Sequence, residues 1–134
     1  MIQRIQSLYM FLLFLLNVFV VIIIDSDPTQ SINESSFGYF RIYINDYFFS
    51  EISAILILIN IFLFKKPNFQ INILRILFLT LVFGLFNLFD ERSLGASIKD
   101  PGLIYFIIAF VLTFMSIRSI KKDQAIISST NRLR

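Results

Sequence analysis

At 134 residues, 57% of them apolar and only 16% charged, with a mean hydropathy of +0.77, the chain is too oily for a soluble domain. The formal net charge is +3, and there is no Cys, His or Trp. Those absences exclude thiolate nucleophiles, His bases, Cys- or His-built zinc sites, His-ligated haem and disulfides. Haem ligation by Met or Tyr has no companion motif, so neither cofactor nor metal is expected.

The first element is an apolar run from Leu8 to Ile24, preceded by Arg4. A basic start before such a run also describes a signal peptide. Here the run ends Val20-Val21-Ile22-Ile23-Ile24-Asp25, without small residues at signal-peptidase spacing. An uncleaved first membrane span over about 7–24 is therefore expected. The longest loop follows, 25–46, with Pro28 and Gly38 as breakers. Within it FGYFRIYIND alternates, Tyr39, Arg41 and Tyr43 against Phe40, Ile42 and Ile44. Period two suggests a short strand; an irregular aromatic segment at the headgroups is the competing reading. Asn33-Glu34-Ser35 matches a glycosylation sequon, read as a chance match. Asp25 and Asp27 are read as solvated on a flexible turn.

The second span is expected over 47–64, ending at Lys65-Lys66-Pro67, where proline stops one helix or starts the next. Asn68 suits an N-cap. The third span, 71–89, is the most clearly bounded, with the two lysines before it and Asp90-Glu91 after it. So short a link makes spans two and three antiparallel neighbours. A polar loop leads to Pro101, suited to a first helical turn, and to a fourth span over 102–120. A tail, 121–134, continues as a basic amphipathic segment that lies on an anionic leaflet or docks a partner.

Charge sets the orientation. Arg4, Lys65, Lys66, Arg75, Arg118, Lys121, Lys122, Arg132 and Arg134 lie on one side; Arg41, Arg92 and Lys99 lie on the other. Of the acids only Asp123 shares the basic side. The positive-inside rule then makes both termini cytoplasmic. Arg75 lies a turn into its span and can snorkel to headgroups; Glu51, near the other surface, has Arg41 or Arg92 as candidate partners.

Each span carries small or polar residues at helical spacing: Gln3, Gln6, Met10, Leu13 and Asn17; Ser50, Ser53, Ile57 and Asn60; Asn72, Ile76, Thr80, Gly84, Asn87 and Glu91; Gly102, Phe106, Ala109, Thr113 and Ser116. In lipid, helices associate through close packing at small residues and interhelical hydrogen bonds worth about 0.6 kcal/mol each. Asn17, Ser53, Asn60, Thr80, Gly84, Asn87, Ala109 and Thr113 are therefore expected inside an all-α, antiparallel four-helix bundle forming a single domain. Arg4, Lys65, Lys66, Arg75, Arg118, Lys121 and Lys122 are expected to contact lipid or a partner. An ion pathway would call for ionisable residues at mid-span, and there are none.

Three blocks carry a family resemblance: MIQRIQSLYM at the start, KPNFQINILR after the second span, and SIRSIKKDQAIISSTNRLR at the end. With them the chain resembles the four-span inner-membrane proteins of Bacteroidota grouped as domain of unknown function 4293. The resemblance implies the topology and a bacterial inner-membrane location, with no activity attached. It places whatever is specific at the termini.

No serine stands in a nucleophile elbow, no glycine-rich loop could cradle a phosphate, and no carboxylate pair shares a helix face. The expectation is a non-enzymatic accessory or scaffolding subunit. Its partners would be the lipid bilayer and a larger inner-membrane complex, not nucleic acid. The alternative is a small transporter or channel using the polar stripe of the third span. A lipid-modifying enzyme built on Asp90, Glu91 and Arg92 has the least support.

Overall fold

The computed structural model describes residues 2–27, 36–90 and 93–132, within which the fold is all-α. The elements are α1 (Ile2–Ser26), α2 (Phe40–Asp46), α3 (Phe49–Phe62), α4 (Pro67–Phe89), α5 (Leu94–Lys99) and α6 (Pro101–Arg132). Proline opens both α4 and α6, where its fixed φ suits the first turn and its missing N–H leaves no bond unmade. Lys66 is the N-cap of α4, so Asn68 falls inside the first turn; its side chain instead accepts a hydrogen bond from Gln124 Nε2 at 2.8 Å.

Among the described residues three helices, α1, α4 and α6, are long and apolar enough to cross a membrane. The count becomes four if α2 and α3, bent by 70° at their junction, are taken as one broken span. The span expected over 47–64 falls on this bent pair. Its straight part, α3, has 14 residues, about 21 Å at 1.5 Å per residue, short of a hydrocarbon core of about 30 Å. The break sits at Phe48, whose φ of 50° is left-handed. A non-glycine residue there carries strain of order 1–3 kcal/mol, which the packing around it must offset.

That packing also explains why FGYFRIYIND is not a strand. Phe40 and Ile44 stand one helical turn apart on α2, and both are buried. The Phe40 ring lies 4.9 Å from that of Phe49 and 5.0 Å from that of Phe106. Over so few residues, alternation and a helical face are hard to tell apart, and burial against α6 decides for the helix.

α1 packs along both α3 and α6, and α6 along α4. Helices α3 and α4, despite the short link, meet only slightly. They are tied by reciprocal amides: Gln70 Nε2 donates to the Asn60 carbonyl at 2.8 Å, and Asn60 Nδ2 to the Gln70 carbonyl at 3.4 Å. Elsewhere they flank an apolar crevice of about 250 Å³. The core runs through Met10, Leu13, Ile57, Leu81, Phe106 and Ala109. Outside it, large side chains such as Phe62 and Phe86 are more than 70% exposed. Apolar surface on this scale, tolerable in lipid and not in water, marks the molecule as a multi-pass membrane protein.

Candidate functional site at the two ends of the bundle

The middle of the bundle is a packing region. Asn17 is buried; its Nδ2 donates to the Leu13 carbonyl at 2.9 Å and its Oδ1 accepts from the Tyr105 hydroxyl at 3.0 Å. Thr113 and Ser116 return their hydroxyls to the carbonyls of Ala109 and Leu112. Gly84 lies where a side chain could not: a Cβ there would stand 2.7 Å from the Phe40 ring and 2.9 Å from that of Phe106. Ser53, Asn60 and Ala109 are also buried. Two residues of the expected interior set are placed differently. Thr80 and Asn87 are half-buried, and each bonds its own helix, at the Leu77 and Phe83 carbonyls. A side chain satisfied in that way needs no neighbour. The inward face of α4 is instead Gln70, Ile71, Leu74, Leu77, Leu81, Gly84 and Leu88, while Asn72 and Ile76 are exposed.

Two carboxylates, Asp100 and Asp27, tie the acidic end together. Asp100, between α5 and α6, is buried, and its Oδ1 accepts from the Phe37 N–H at 2.9 Å and the Gly102 N–H at 2.7 Å. Phe37, left-handed at φ 70° and buried, sets its ring 5.7 Å from that of Tyr105. Asp27 is not simply solvated. It takes an ion pair from Arg41 at 3.3 Å and a bond from the Ser36 N–H at 3.2 Å. Arg41 is therefore engaged away from Glu51, whose Oε2 is buried with no hydrogen-bond partner. Arg92, the other expected partner of Glu51, lies outside the described residues, as do Glu91, Pro28, the sequon at Asn33, Arg134 and the Gln3 and Arg4 side chains.

The basic end is open. Lys65, Lys66, Arg75, Arg118, Lys121 and Lys122 are exposed there, Lys65 and Lys66 each with Nζ 5.9 Å from the ring of Phe64 or Phe69. Beneath them a cleft of about 350 Å³ collects Gln6 of α1, Phe64 and Lys65 of the α3–α4 link, and Ile120, Asp123 and Ile127 of α6. Asp123 is 9% exposed and Gln6 4%. Neither carboxylate oxygen of Asp123 has a hydrogen-bond partner, nor does Gln6 Oε1. Burial pushes the Asp123 carboxyl above its ordinary pKa, with the charges of the chain's amino group and Lys122 pulling the other way. Nothing in the local sequence marks Gln70, Asp100 and Tyr105, and charge alone marks Asp123 only as the one acid on the basic side. For Asp123 a signal existed: Thr113, Ser116, Ile120 and Asp123 follow one another at three- and four-residue steps, and all are buried.

Among the described residues, no group of three or more His, Cys, Asp or Glu could hold a metal ion. Long apolar helices packed around a buried core define an all-α, multi-pass membrane protein. The chain belongs to the family described as Domain of unknown function (DUF4293), which matches residues 2–133. No curated protein and no solved structure matches it.

Proposed function

We propose that the protein is a four-span subunit of the bacterial inner membrane, of the Bacteroidota type its family resemblance implies, serving as a non-enzymatic accessory or scaffold for a larger complex. The observation carrying this reading is the length of α6. Its 32 unbroken residues reach about 48 Å at 1.5 Å per residue, against a hydrocarbon core of about 30 Å. The surplus is a helical arm whose residues beyond Gln124 are exposed, carrying Ile126, Ile127 and Arg132. An unpartnered apolar pair on a basic arm suits docking to another membrane-associated protein as well as to headgroups.

Antiparallel spans and termini on one side are supported by the basic-end cleft, to which α1, the α3–α4 link and the far part of α6 all contribute. The charge asymmetry argues for the cytoplasm as that side. Counting α2 with α3 gives the fourth crossing. The transport alternative has little in its favour: Thr80 and Asn87 are spent on their own helix, and the buried carboxylates Asp100 and Asp123 sit at the ends, not at mid-bundle.

Crosslinking in native membranes followed by mass spectrometry tests the scaffold. A discrete partner set should be captured and then lost when Ile126 and Ile127 are both changed to Glu. Recovery of uncrosslinked monomer alone from the wild type would overturn the reading.

A further inference from the structure

The basic-end cleft holds acceptors in excess. Asp123 presents two carboxylate oxygens and Gln6 one amide oxygen, all buried and without a hydrogen-bond donor among the described residues. A buried carboxylate is costly unless paired, so the cleft is complementary to a cationic donor. Lys65 lines the same cleft, and Phe64, Ile120 and Ile127 supply apolar walls. A negative group beside a positive one, at the end of apolar helices, matches a zwitterion lying at the membrane surface. The volume of about 350 Å³ is within the usual range for small-ligand sites.

We propose that this cleft is a headgroup site for an aminophospholipid. The primary ammonium donates to the Asp123 carboxylate and Gln6 Oε1, Lys65 faces the phosphate, and the acyl chains leave along the apolar walls. A primary ammonium is compact and carries three N–H donors, which suits a cleft lined by acceptors. A choline headgroup has no N–H to give, and a glycerol headgroup brings a net negative charge toward Asp123. The inference rests on the membrane reading of the fold but not on the scaffold role, because lipid binding is measured without any partner protein.

The test is native mass spectrometry of the delipidated full chain in mild detergent. It would be offered phosphatidylethanolamine, phosphatidylcholine and phosphatidylglycerol of identical acyl chains. Phosphatidylethanolamine should be retained about tenfold over phosphatidylcholine, the scale of one charge-assisted hydrogen bond. Asp123→Asn should erase that preference, Asp123→Glu should keep most of it, and circular dichroism should show both variants folded. Soluble phosphoethanolamine in excess should displace the lipid if the headgroup alone is recognised. Equal retention of the ethanolamine and choline lipids would overturn the proposal, as would an unchanged preference in both Asp123→Asn and Gln6→Leu. So would a carbodiimide that joins Asp123 to a protein lysine and never to the lipid amine.

Discussion

The two ends of the bundle use the same residue type in opposite ways. At the acidic end, Asp100 meets two backbone N–H groups and Asp27 meets Arg41, so these buried or half-buried carboxylates are answered within the chain. At the basic end, Asp123 is nearly as buried, and neither of its carboxylate oxygens has a hydrogen-bond partner among the described residues. Burial alone therefore does not separate a structural carboxylate from one awaiting a ligand; the list of donors does. Asp100 and Asp27 thus clamp the acidic end, although Glu51 Oε2 nearby is buried without a partner, while at the basic end Asp123 and Gln6 leave acceptors unused in one cleft.

The largest effect should come from breaking the clamp. Asp100→Ala removes the shared acceptor of Phe37 and Gly102 and leaves two N–H groups in a buried setting. Each such orphan costs about 1–3 kcal/mol, so thermal unfolding in detergent should show a loss of about 2–6 kcal/mol for the two. A loss below about 0.5 kcal/mol would mean that water reaches these groups and that the acidic end is not closed. Gly84→Val comes next. Its side chain would meet the rings of Phe40 and Phe106, an overpacking worth about 1–3 kcal/mol. Since Phe40 belongs to the bent segment, this variant should also loosen α2, read as faster hydrogen exchange over 40–46.

Tyr105→Phe should cost less, about 0.6 kcal/mol, the average for an interhelical hydrogen bond in a membrane protein. The lost bond runs to Asn17 Oδ1, while the Asn17 amide keeps its donation to the Leu13 carbonyl. An Asn17→Leu, Tyr105→Phe double-mutant cycle would isolate the pair term. A cycle energy of zero would show that the two residues do not act together.

How far this arrangement could be read in advance depended on how each polar residue is satisfied. Gln6, Met10, Leu13 and Asn17 repeat at helical spacing, and the structure buries all four. On α4 the same rule pointed to Thr80 and Asn87, yet both close onto carbonyls of their own helix, so polarity ceased to report on the neighbour. The bend between α2 and α3 was not legible either. It depends on a left-handed Phe48 and on Phe40 finding a gap over Gly84, and neither is a property of the local segment. The clamp needed a partner 63 positions away from Asp100 in sequence, beyond the reach of any periodicity.

The smallest shift is expected at Asp123, and its sign is opposite to the others. Burial raises the carboxyl's pKa in the folded chain above the unfolded value. The folded state is then favoured while the group is protonated, below the ordinary carboxylate range. That advantage is lost as pH rises through the raised folded-state value. Once pH has passed that raised value the carboxylate is a liability, so there Asp123→Asn should be slightly more stable than wild type in lipid-free detergent. The gap should close on acidification, as wild-type Asp123 becomes neutral too. Lys122 and solvent near the cleft mouth limit the effect. Ethanolamine lipid should shrink the gap from the other direction, by supplying the ionised carboxylate with donors. A wild type that stays the more stable of the two across the whole pH range without lipid would show that Asp123 already has a partner within the chain, and the contrast between the two ends would then disappear.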